Sequence, residues 1–124
     1  MSRRLSKDFG GNLGQGSKWI RKKKRIMIYE RDAWACVWCT ADLRHAEGYA
    51  RTLDHIVPRE LGGTNAAENL VTACGDCNVR RGMLPPLAYA ATIAESSRSP
   101  LAVVADVLGR IANAIHTELP RSAA

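Results

Sequence analysis

Aromatic side chains are scarce in this chain. Phe, Trp and Tyr make up 6% of its 124 residues, with a single Phe, so the core has to be assembled from Ala, Val, Ile and Leu. An aliphatic core of that size commonly needs a staple. Long apolar runs are missing too: no window approaches the roughly 18 residues of a membrane span, and the first thirty residues carry no apolar stretch of the secretory kind. These absences argue against a helical membrane span and predict a soluble, cytoplasmic protein with no membrane partner. Internal repeats and low-complexity tracts are absent as well, and the length suits one domain.

Acidic residues are sparse at one end only. Residues 1–31 hold ten Lys/Arg against Asp8 and Glu30, a net +8, whereas residues 32–124 are acidic by two, which leaves +6 for the chain. The run Lys22, Lys23, Lys24, Arg25 is therefore a candidate phosphate-tracking surface, with nucleic acid as the partner. A solvated charge run is the alternative for such a segment.

Residues 1–17, with Gly10, Gly11, Gly14 and Gly16 and no apolar periodicity, read as a flexible arm. A basic helix is predicted from Ser17, which can cap it, with Trp19/Ile20 and Ile26/Met27 on its inner side. Short strands are predicted over residues 49–55 and 69–73, with Gly62-Gly63 and Asn65 marking a turn between them. A short helix over residues 77–81 should be stopped by Gly82 and Pro85-Pro86. Residues 18–84 then form the central domain and residues 85–124 a helical extension, with one helix over 87–97 and another opened by Ser99-Pro100. In the latter, Leu101, Val104, Leu108, Ile111 and Ile115 make one apolar stripe. It serves either to pack on its own domain or to bind a protein partner or a second copy in a homodimer.

The four cysteines fall as Cys36-x2-Cys39 and Cys74-x2-Cys77, with none left over. Two-residue spacing lets both thiolates of a pair reach one tetrahedral ion, and two pairs complete a closed four-thiolate site. A structural Zn2+ is predicted; free thiols or a redox pair are the alternatives. Trp19, Trp34 and Trp38 are expected to pack around the knuckle. A closed site has no open position for substrate, so chemistry is to be sought between the knuckles.

There the chain reads Leu53-Asp54-His55-Ile56-Val57-Pro58-Arg59, then Gly62-Gly63, then Asn69-Leu70, and finally Cys77-Asn78-Val79-Arg80-Arg81-Gly82. In this order the motifs resemble the HNH endonuclease family, in its four-cysteine branch, over residues 32–82. The resemblance implies an α+β fold: a small ββα-metal nuclease core stapled by zinc, here with a basic N-terminal helix and a C-terminal helical segment. It also implies hydrolysis of DNA phosphodiester bonds, with His55 as general base and Asp54 and Asn78 as ligands of a catalytic divalent metal. Asn69 is then the middle family residue, which shapes the His-bearing loop. The last position is Asn where many members have His, which makes this an HNN variant.

Residue chemistry agrees with those roles. A histidine can take the proton of the attacking water, and carboxylate and amide oxygens suit Mg2+ or Mn2+. Neighbours on a regular strand face opposite ways, so the strand must end, bend or bulge at Asp54-His55. Arg59, Arg80 and Arg81 are candidate phosphate contacts, with plain surface exposure as the alternative. Asn78 has the alternative of a helix-capping amide. Two other functions stand beside the enzyme: a non-catalytic zinc-stapled nucleic-acid-binding module, and a nuclease subunit of a larger DNA-processing complex.

Overall fold

Three lysines open the first helix, α1 (Lys22–Arg31), where positive charge meets the positive end of the helix dipole and Arg21 provides no side-chain cap. The helix is therefore held by tertiary contacts: Ile28 and Tyr29 are buried with Ile20, Leu53 and Leu70. The computed structural model describes residues 20–120. The Gly-rich arm of residues 1–17, the Ser17 cap and Trp19 lie outside them.

The sheet has two antiparallel strands, β1 (Arg51–His55) and β2 (Leu70–Cys74), with Asp54 opposite Val71 and His55 opposite Leu70. β1 starts two residues later than the sequence suggests, because Gly48–Ala50 forms a 3-10 turn that leaves Tyr49 exposed. Arg31 and Asp32 form a buried ion pair at 2.7 Å. Arg31 donates to the carbonyls of Ala67 and Leu70, while Asp32 accepts the Thr72 N–H, so the pair ties the end of α1 to β2.

β2 runs directly into α2 (Gly75–Arg81), whose N-cap is Cys74. Gly75 is required there, since a Cβ would collide with the Tyr49 carbonyl. Arg80 and Arg81 lie in the last turn, where cations suit the dipole.

Two further helices follow, α3 (Pro86–Ala94) and α4 (Pro100–His116), each with proline in its first turn. Ser99 makes no side-chain cap bond, contrary to expectation. These helices share one core with the cysteine knuckles: Tyr89, Ala90, Val107, Ile111 and Ala114 pack with Cys36, Trp38, Val71 and Cys77. Arg110 fastens α4 to the first knuckle by donating to the carbonyls of Val37 (2.9 Å) and Trp38 (3.0 Å).

The α4 stripe is buried within its own chain, centred on Val107, Ile111 and Ala114. Leu101, assigned to the stripe from its spacing, is instead 85% exposed. The helix packs on α3 and β2 together, so its covered face is wider and rotated relative to a single a/d row. Among the described residues no helix is long and apolar enough to cross a membrane.

Candidate active site

The second knuckle begins where β2 meets α2, and the first lies between α1 and β1, so folding brings two distant pairs of cysteines together. All four Sγ atoms lie within 4.8 Å of one another, with Cys39 and Cys74 at 3.8 Å. A tetrahedron built on metal–sulfur bonds of about 2.3 Å has an edge of about 3.8 Å, so the cluster is positioned to bind a metal ion. Within each pair the N–H of the second cysteine points at the sulfur of the first, Cys39 to Cys36 at 3.5 Å and Cys77 to Cys74 at 3.4 Å. Burial pushes the Cys36 thiol up to about 11 and also raises Cys77. Cys39 moves the other way: burial opposes the shift, but the hydrogen bonds from the Ala41 backbone and the neighbouring cysteines lower its thiol.

β1 ends at His55 and the chain bends at Ile56 and Val57, which meets the geometric condition for Asp54 and His55. Asp54 turns inward. It is 5% exposed, and both its oxygens accept hydrogen bonds, Oδ2 from the Trp38 indole and Oδ1 from Arg81, each at 2.9 Å. Burial pushes its carboxyl up to about 6, opposed by the Arg81 charge and the two donors.

Arg81, expected at the surface as a phosphate contact, is instead buried. Its guanidinium lies over the Trp38 ring and donates to the carbonyls of His55, Ile56 and Leu84 as well as to Asp54. A cation so enclosed acts as the counter-ion of Asp54 and as a clamp on the exit of β1. It is not presented to a phosphate.

His55 points into the loop that follows, where Nε2 meets Asn65 Oδ1 at 2.8 Å. Burial lowers its pKa below the ordinary 6.5, with the Asn65 hydrogen bond opposing. The loop is braced by Asn69, which uses both ends of its amide: Oδ1 accepts the Val57 N–H (2.8 Å), and Nδ2 donates to the carbonyls of Val57 (3.0 Å) and Thr64 (2.9 Å). Gly63 closes the loop against the Val57 carbonyl, where no Cβ would fit.

Asn78, on the same face of α2 as Arg81, donates from Nδ2 to Thr52 Oγ1 (2.9 Å) and to the Leu53 carbonyl (3.3 Å). The Thr52 hydroxyl proton is directed to the Ala73 carbonyl, so both neighbours of the amide nitrogen are acceptors. That arrangement turns Oδ1 of Asn78 away from the strand. Asn78 borders an open groove shared with Tyr49, Thr52 and Arg80.

The remaining predicted cations divide into two groups. Lys22, Lys23, Arg59 and Arg80 are exposed. Lys24 donates instead to the Asn65 carbonyl at 2.6 Å and Arg25 to the Ile20 carbonyl at 3.2 Å.

Reading the sequence left Asn65 as a turn marker and Trp38 as packing. The signal for Trp38 was available, since a carboxylate on a buried strand needs donors. Nothing local announces that Asn65 reaches His55. Trp34 packs with Tyr29 and under Arg51 in the second cluster, away from the cysteines.

A two-stranded sheet and one short helix, with a histidine at the end of β1, lie beside four clustered sulfurs in a small ββα arrangement. Residues 36–83 match the family described as HNH endonuclease. A segment of 62 residues is 36% identical to the CRISPR-associated endonuclease Cas9 of Corynebacterium diphtheriae. That segment is 49% of this chain and 5% of the relative, so the likeness covers a small part of that protein.

Proposed function

We propose that this chain is a metal-dependent endonuclease that hydrolyses DNA phosphodiester bonds, with His55 as general base. The observation that carries this reading is the His55–Asn65 contact. With Oδ1 as acceptor, Nε2 carries a proton, and the contact fixes the orientation of the imidazole. The lowered pKa keeps the ring neutral and basic at pH 7. Asn69 acts by holding the loop, through the three bonds described above. In this reading the cysteine cluster holds a structural Zn2+, whose closed coordination leaves it no part in the reaction.

The oxygens of Asp54 and Asn78 would hold the catalytic cation, and their hard donor chemistry fits Mg2+ or Mn2+. When bound, such an ion supplies positive charge to the phosphoryl oxygens and the leaving oxygen. Each Asp54 oxygen keeps a lone pair beyond the one facing Trp38 or Arg81, and Asn78 offers Oδ1. Arg59, Arg80, Lys22 and Lys23 are the exposed cations that would track the DNA backbone.

The test is conversion of supercoiled plasmid by the zinc-loaded protein with Mg2+ or Mn2+. Relaxed or linear product that requires the divalent ion is expected. Intact plasmid under every metal condition, with DNA still bound, would replace the enzyme by a zinc-stapled binding module.

The pH dependence of the same reaction is a further expectation. His55 must be neutral, and its pKa lies below the ordinary 6.5; Asp54 must be ionised, and its value is about 6. Both forms are lost as pH falls, so the acidic limb of the single-turnover rate should have its midpoint below about pH 6.5. A midpoint clearly above that value would contradict both assignments.

A further inference from the structure

Tyr89 is 1% exposed, and its hydroxyl has no hydrogen-bond partner. An orphaned hydroxyl in a packed core calls for an explanation. The ring packs edge-on to Trp38, with centroids 5.2 Å apart and planes at 79°. Tyr89 shares one buried cluster with Cys77, and its hydroxyl interacts with that sulfur. A protonated thiol is a weak acceptor. A metal-bound thiolate is a strong one, because hydrogen bonds to an ionised acceptor are shorter and roughly twice as strong.

We propose that Tyr89 completes the outer sphere of the zinc site, donating its O–H to Cys77 Sγ when that sulfur binds the metal. The inference rests on the zinc reading of the four cysteines. Cys77 releases its proton to solvent as the metal–sulfur bond forms, while the Tyr89 proton stays on oxygen. Tyr89 lies on α3, so the bond joins the C-terminal helices to the metal. Its stacking partner Trp38 in turn donates to Asp54 at 2.9 Å, which places one aromatic pair between the zinc site and the buried carboxylate.

The experiment compares the full-length zinc-loaded protein with Tyr89→Phe, which keeps the ring and its stacking. Tyr29→Phe, in the other hydrophobic cluster, is the control. Zinc affinity is measured by competition with a chromophoric chelator, and the sulfur-to-metal charge-transfer band is recorded after Co2+ substitution. Tyr89→Phe should lower zinc affinity by about 10- to 100-fold, the usual cost of removing an outer-sphere partner, and should shift the Co2+ band. Tyr29→Phe should change neither.

An unaltered affinity and band in Tyr89→Phe would overturn the proposal. So would a lower melting temperature with both metal readouts unmoved, which would make Tyr89 a packing residue. Wild-type protein that binds no zinc would overturn the metal site itself and this inference with it.

Discussion

His55→Ala is expected to lower the single-turnover rate of DNA cleavage by about 10²- to 10⁴-fold, the usual contribution of a general base. DNA affinity and zinc content should stay near wild type. The imidazole acts on the proton of the attacking water, which matters in the transition state far more than in ground-state binding. It is also only half buried, so its truncation leaves no large cavity.

Asn65→Ala should fall between wild type and His55→Ala, since the ring would remain but its orientation and tautomer would lose their support. Asp54 needs gentler treatment than the sequence alone suggests. Asp54→Ala would leave the buried Arg81 without its counter-ion, which typically costs about 3–5 kcal/mol, so lost folding would be confused with lost metal. Asp54→Asn is the better probe. Cleavage of a labelled duplex, with circular dichroism and zinc content as controls, checks these expectations. Near wild-type rates in a folded His55→Ala protein would remove His55 from the chemistry.

The second large effect is expected at the knuckles. Cys36→Ser or Cys74→Ser should abolish stoichiometric zinc binding and unfold the domain at temperatures where the parent is folded. Structural zinc contributes roughly 10–16 kcal/mol in isolated zinc modules, comparable to the whole stability of a small domain at about 5–15 kcal/mol. In this fold the cluster also links three regions. Val37 donates its N–H to the Thr72 carbonyl (2.9 Å), Arg110 holds the carbonyls of Val37 and Trp38, and the Cys36 and Cys77 side chains lie in the same core as Val107 and Ile111. Elemental analysis and thermal melting are the measurements. Less than half an equivalent of zinc in the parent, with unchanged melting after either substitution, would take the staple out of this account.

Much of the architecture was legible because its determinants are neighbours in the chain. Two-residue cysteine spacing reports which thiolates can share an ion, and period-two or period-four patterning reports strand or helix, so the knuckles, β2 and α2 were expected within a residue or two, while α3 ends at Ala94, three residues before the expected 97. The ordered Asp-His, Asn-Leu and Cys-Asn motifs likewise carry the resemblance to the nuclease family, because they too are local. Charge counting was less reliable one residue at a time. Four successive cations look alike in sequence, yet Lys24 is drawn to the Asn65 carbonyl while Lys22 and Lys23 stay in solvent.

What the sequence alone determined, then, is the kind of element at each position and the chemistry each motif can perform, since both follow from local spacing and residue type. Only the tertiary structure decided which group answers which. Arg81 is carried 27 residues back to Asp54 and enclosed there, Asn65 folds across ten residues onto His55, and Tyr89 is set against Cys77 with its hydroxyl unpartnered. The physical reason is that a buried polar group must find its partner among whatever the packed chain brings within about 3 Å, and that neighbourhood exists only once strands and helices have closed around one core.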